Sequence, residues 1–147
     1  MGKTYALLVG INDYQPASNV AKLLGCVTDV GNFEAWLTAN TPAEALSIRK
    51  LTDAAATREA LIAGFREHLG QARAGDVAVF QYCGHGARSA SAPEFLQYFP
   101  VGKDEGLICV DSRINGTPDL ADKELAVLIA ELAAHNPHIT IILDCCN

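Results

Sequence analysis

The sequence predicts an α/β protein whose mostly parallel central sheet is covered by helices on both faces. Three observations predict it. Short apolar runs alternate with stretches of helical periodicity along the chain, the pattern of parallel strands joined by crossover helices. Two of those runs, ending at His85 and at Cys146, are nearly continuous in apolar residues, as strands buried on both faces are. Finally, 147 residues, 50% of them hydrophobic, can bury roughly 68–70% of their unfolded surface, enough for one core. A single domain covering residues 1–147 is expected.

Taken in order, Lys3 to Ile11 is an apolar run closed by the turn-rich Asn12-Asp13-Tyr14-Gln15-Pro16, and reads as the first, central strand. Leu23, Val27, Val30, Phe33 and Leu37 recur at helical spacing, predicting a helix from Gly25 to Ala39 that stops before Asn40-Thr41-Pro42. Ser47 to Leu51 is a weaker strand. Thr57 caps the next helix, whose apolar face is Leu61, Phe65, Leu69 and Ala72, and Gly75-Asp76 turns the chain into a third strand. Between Ala87 and Lys103 no period is sustained, which predicts a long surface loop beside His85, of the kind that serves as a lid. Glu105 to Asp111 reads as a small strand. Leu125, Leu128, Ile129 and Leu132 mark a third helix, ended by Asn136-Pro137 just before the closing strand.

Charge and cysteine content narrow the function. A net charge of −6 and a pI near 5.1 argue against nucleic acid or an anionic membrane as partner, since both call for clustered Lys and Arg. They suit a cationic substrate. Five cysteines, none in a CxxC spacing, fit a reducing compartment better than a disulfide framework. The apolar run from Tyr5 to Ile11 is too short to span a membrane and carries no cleavage pattern, so a cytoplasmic location is expected.

The chemistry lies at two strand ends. His138-Ile-Thr-Ile-Ile-Leu-Asp-Cys-Cys-Asn147 ends in an acid and two thiols, and Asp76-Val-Ala-Val-Phe-Gln-Tyr-Cys-Gly-His85-Gly86 ends in a histidine between glycines. Ligands of open α/β sheets bind at such carboxyl ends. Side chains alternate along a strand, so Asp144 shares a side with Cys146 while Cys145 faces the other way, and Cys83 shares a side with His85 if the strand persists. That favours Cys146 over Cys145 as nucleophile. A thiolate beside an imidazole is the arrangement of nucleophilic catalysis.

The elements Tyr5-Ala-Leu-Leu-Val-Gly-Ile-Asn12, Gly25-Cys26-Val-Thr-Asp29, Thr57-Arg-Glu-Ala-Leu61, Gly75-Asp76, Tyr82-Cys-Gly-His-Gly86 and Asp144-Cys-Cys-Asn147, in this order, resemble the caspase-like cysteine peptidases, specifically the metacaspases and their bacterial relatives. The resemblance implies a three-layer α/β/α sandwich with a mostly parallel central sheet, here the large-subunit portion, expected to be incomplete at the C-terminus and ending just after the nucleophile. It implies a cysteine endopeptidase with Cys146 as nucleophile, His85 as general base and acid, and the N–H groups of Gly86 and Cys146 as an oxyanion hole. It also places Cys26, Asp29, Cys83 and Asp144 around the side chain preceding the scissile bond. Two carboxylates there would select Arg or Lys and repel Asp.

Further expectations follow. A catalytic strand should feed into a segment that walls the pocket, so a missing C-terminal segment or small subunit is expected to complete the site. The family's calcium site uses acids near Ala121-Asp122-Lys123-Glu124; Lys123 stands where a second acid is usual, which counts against calcium activation, and no cofactor is expected to be required. Cys83 replaces a common serine and Asn147 a common histidine. Asp144 could instead orient His85, but as an acid beside a thiolate it fits the pocket better. Rival readings are an inactive caspase-like scaffold, a separase-like or gingipain-like peptidase, and a zinc module of Cys83, His85, Cys145 and Cys146. His68, His135 and His138 are expected to face solvent, and Cys109 and Cys145 to pack as small apolar residues.

Overall fold

A computed structural model describes residues 2–91, 96–97 and 102–145. Its main sheet has four parallel strands in the order β2-β1-β3-β7, with β1 at Thr4–Gly10, β2 at Leu46–Thr52, β3 at Val77–Cys83 and β7 at His138–Asp144. Alternation along these strands divides the core in two. Leu7, Val9, Phe80 and Tyr82 face helices α2 (Arg58–Ala63) and α3 (Asp122–Ala133), meeting Leu61, Phe65, Leu125 and Leu128. Ala6, Leu8, Val79 and Cys83 face helix α1 (Cys26–Asn40) through Cys26, Val30 and Leu37. Helices therefore cover both faces of a parallel sheet, the α/β sandwich the sequence predicts.

Thr57 caps α2 as expected, its hydroxyl accepting from the Ala60 N–H at 3.1 Å. Beyond Ala63 the helix widens into a π turn over Gly64–His68 and tightens into a 3-10 turn over Leu69–Gln71. Here the turn packs close to β1: a Cβ on Gly64 would lie 2.7 Å from the methyl carbons of Leu7. The widened turn also overturns the expectation that His68 faces solvent. It is buried, with Nε2 3.1 Å from the Ala6 carbonyl and 3.2 Å from that of Ser47, tying α2's extension to β1 and β2.

The predicted loop from Ala87 to Lys103 is in part a second sheet. Strand β4 (Gly86–Ala90) pairs antiparallel with β5 (Lys103–Leu107), which pairs with β6 (Leu120–Ala121). β4 is short and mostly exposed, so it has no apolar alternation to read. The rest of that segment, 92–95 and 98–101, lies outside the described residues. The strand expected at Glu105 to Asp111 starts and ends earlier, and Ile108, Cys109 and Val110 follow it as buried loop.

Candidate active site

Strand register assembles the site. Gly10, Cys83 and Asp144 lie side by side at the carboxyl ends of β1, β3 and β7. Gly10 has no side chain because α1 starts on top of it: a Cβ would lie 2.8 Å from the Cys26 carbonyl oxygen and 2.9 Å from Val30 Cγ2. Asn12, just past β1, holds that helix start, its Oδ1 accepting from the Cys26 N–H at 2.9 Å and the Val27 N–H at 3.4 Å. Asp53 Oδ1 in turn accepts from the backbone N–H groups of Asn12 and Asp13. The result brings Cys26 and Asp29 of α1 over Cys83. Sequence reasoning quoted Asn12 without giving it this role and missed Asp53.

Cys83 Sγ lies 3.7 Å from Asp144 Oδ2 and 4.0 Å from Asp29 Oδ2. Burial, the neighbouring Cys26 thiol and the two carboxylates all push the Cys83 thiol up, so it stays protonated and is no nucleophile. Among the described residues, no ion pair engages Asp29 or Asp144. Leu23, Leu24, Gly84, His85 and Cys145 join these four residues around an open cleft of about 300 Å³. Among the described residues, the sequence-predicted pocket residues Cys26, Asp29, Cys83 and Asp144 thus do share one cleft with His85.

His85 is held by its main chain. Its N–H donates to the Tyr14 hydroxyl at 2.9 Å, and its carbonyl accepts from the Ile108 N–H at 3.0 Å. The Tyr82 hydroxyl lies 2.8 Å from the carbonyl oxygens of both His85 and Ile108, and the Tyr14 ring packs 5.2 Å from the imidazole. Burial raises both phenols above their ordinary values, keeping them as O–H groups. Gly84 leaves room for the two hydroxyls, since a Cβ would sit 2.5 Å from that of Tyr82 and 2.8 Å from that of Tyr14. Sequence reasoning missed both tyrosines; Tyr14 in the turn after β1 gave no signal of its own.

The imidazole's protonation follows from its partner. Nε2 lies 2.9 Å from the Ala21 carbonyl oxygen, which can only accept, so Nε2 carries a proton. A neutral ring then presents Nδ1 as its basic nitrogen. A backbone carbonyl, and not Asp144, orients the histidine. Gly86 stands opposite Leu107 where β4 meets β5, and the bond from Ile108 N–H to the His85 carbonyl makes this a non-hydrogen-bonded pair. Its N–H points away from the partner strand and is not consumed by the ladder.

Cys146, the predicted nucleophile and second oxyanion donor, lies outside the described residues with Asn147. Cys145 turns to the opposite face and packs against the core under α2 and α3. It reaches the edge of the cleft, but among the described residues the ligand atoms of Cys83, His85 and Cys145 do not converge as a zinc set. Cys109 is fully buried, and burial pushes its thiol up to about 12. Where the resemblance places calcium ligands, the Lys123 ammonium bonds the Asp104 and Asp122 carboxylates, and Ser91 also bonds Asp104. These carboxylates are thus paired with the Lys123 ammonium.

Comparison with known proteins yields a consistent picture. The family model described as metacaspase, peptidase C14 domain matches residues 4–147. The chain is 30% identical to Metacaspase-1 of Candida albicans, covering 99% of this chain and 33% of that protein. It is 28% identical to Metacaspase III c of Phaeodactylum tricornutum, covering 99% and 43% respectively. A crystal structure of a protein from Geobacter sulfurreducens superposes with a TM-score of 0.78 at 24% identity, over 98% of this chain and 50% of that one. The chain thus spans between a third and half of the length of these relatives.

Proposed function

Since the chain belongs to the metacaspase family of C14 peptidases, we propose that it is the large-subunit portion of a cysteine endopeptidase that cleaves after Arg or Lys. One observation carries the specificity: Asp29 and Asp144, unpaired among the described residues, meet around Cys83 in the cleft beside His85. A guanidinium entering there pairs with both carboxylates, whereas an aspartate side chain would meet two like charges.

In the reaction, His85 Nδ1 takes the Cys146 thiol proton as sulfur attacks the substrate carbonyl carbon. The developing oxyanion is held by the N–H groups of Gly86 and Cys146, each worth on the order of 3 kcal/mol in the transition state. Collapse expels the amine, which takes the proton from His85, and water then hydrolyses the thioester by the reverse sequence. The hydrogen bond from Nε2 to Ala21 supports this reading, because it keeps Nδ1 available.

The site is completed by a further segment of the same protein or its processed partner. β7 is the outermost strand of the described parallel sheet. Leu143 on it is 47% exposed and lines a hollow of about 230 Å³ with Leu107, Leu120, Leu125 and Cys145. An added strand would cover both. No calcium step enters the mechanism, given the Lys123 contacts. Among the described residues no helix is long and apolar enough to cross a membrane, and the free thiols of Cys26, Cys83 and Cys109 suit a reducing, cytoplasmic setting.

The test is hydrolysis of matched fluorogenic peptides ending in Arg, Lys or Asp by the intact protein. Arg or Lys cleavage is expected, abolished in Cys146→Ala and stripped of selectivity in Asp144→Ala. Failure to cleave any peptide, with or without calcium, would favour the scaffold reading; activity surviving Cys146→Ala would mean another nucleophile.

A further inference from the structure

The same two carboxylates flank a thiol that substrate selection does not use. Three side chains from three separately anchored elements, Asp29 of α1, Cys83 of β3 and Asp144 of β7, bring one ligand atom each within 4.8 Å of one another. We propose that they form a binding site for a thiophilic divalent cation of the zinc type. The inference deepens the cation-pocket reading, on which only its effect on substrate rests.

Distances support it first. A tetrahedral zinc with Zn–S about 2.3 Å and Zn–O about 2.1 Å holds sulfur and oxygen about 3.6 Å apart. The two Sγ–Oδ2 distances here are 3.7 and 4.0 Å. Charge supports it second. Two carboxylates without an ion-pair partner among the described residues flank a thiol that has one proton and can satisfy only one of them at a time. Chemistry supports it third. A second buried thiol, Cys26, packs in the same cluster as Cys83, so the site is sulfur-rich as well as acidic. That mixture suits zinc, whereas calcium and magnesium take oxygen ligands.

Binding breaks the Cys83 S–H bond, releases the proton to solvent and forms the sulfur–metal bond, with no change of oxidation state. Three protein ligands leave the fourth tetrahedral position to water on the cleft side. Asp29 and Asp144 cannot hold both this ion and a guanidinium. The metal therefore competes with the cationic side chain of the substrate. This set differs from the zinc module considered from sequence, sharing only Cys83 with it.

Cobalt(II) titrated into the chain carrying Cys146→Ala tests the site without relying on activity. A thiolate-to-cobalt charge-transfer absorption should saturate at one equivalent and vanish on adding zinc. Cys83→Ser should lose that absorption, and Asp29→Asn and Asp144→Asn should each weaken binding roughly tenfold or more. Asp144 is exposed, so its variant reports even if Cys83→Ser disturbs the core. An unchanged spectrum in Cys83→Ser, or parental affinity in both asparagine variants, overturns the proposal. Agmatine, a guanidinium probe, separates the two readings. If it weakens apparent cobalt affinity, both stand; if cobalt binds regardless of agmatine, the metal site stands and the cation pocket fails; if agmatine binds a chain that takes up no cobalt, the reverse holds.

Discussion

At the scale of single residues, Tyr82 does more than fill space. It is fully buried, and its hydroxyl lies within hydrogen-bond reach of the carbonyls of His85 and Ile108. Its single proton serves one of them at a time, and each keeps a second donor, the Ile108 N–H for His85 and the Tyr14 hydroxyl for Ile108, so Tyr82→Phe should cost about 0.5–1.5 kcal/mol of stability, the usual net worth of one hydrogen bond. Chemical denaturation would read this, and an unchanged midpoint would mean another donor takes over. His68 gives a pH dependence. Burial lowers its pKa from 6.5, outweighing the opposing hydrogen bonds to Ala6 and Ser47. The folded state thus takes up this proton less readily than the unfolded one. Its contribution is fully present above the unfolded value and declines as pH falls below about 6.5 toward the folded pKa. Asp76 and Asp104, whose carboxyls backbone N–H groups and Lys123 respectively hold low, act only below 3.8, in a separate window. Denaturation midpoints should drop between about pH 7 and pH 5 and flatten in His68→Gln. A parent profile already flat there would refute the assignment.

At the scale of elements, the contact of β1 with α1 is the tightest requirement. Gly10→Ala places a Cβ 2.8 Å from backbone that cannot move without lifting the helix start. A loss of roughly 1–3 kcal/mol is expected, as for other overpacking changes, together with weaker cobalt binding because Asp29 moves with α1. Gly31→Ala is the control, since its Cβ would meet nothing within 4 Å and alanine favours the helix by about 1 kcal/mol. Thermal unfolding of the two variants checks both signs. Legibility of elements followed burial. β1 and β3 were readable because strands covered on both faces are written as apolar runs; β7 carries the same kind of run although it is only partly buried at the sheet edge. β4 was not, since a short, exposed strand depends on its partner β5 and not on its own pattern. The π turn was hidden because the apolar spacing of Leu61, Phe65 and Leu69 survives a local widening of the helix.

At the scale of the whole molecule, the site was legible where the chain concentrates chemistry at strand ends, and illegible where main chain does the positioning. His85 could be named because few other roles explain a histidine between glycines at a strand end, whereas Asp29, Cys83 and Asp144 were assigned to the pocket through the resemblance to metacaspases. The Ala21 carbonyl, the Tyr14 and Tyr82 hydroxyls and the Asn12 cap act through folds of the chain that no local pattern encodes. The parallel register is what joins the two sets, setting Gly10, Cys83 and Asp144 in one row so that loops from distant parts of the sequence meet above it. The histidine's orienting partner has a consequence for inheritance. A carbonyl oxygen belongs to every amino acid, so substitution at position 21 leaves the hydrogen bond to Nε2 chemically available. What descent must preserve is the length and path of the stretch between Asn12 and Cys26, and the lineage should tolerate exchanges of residues there far better than insertions or deletions.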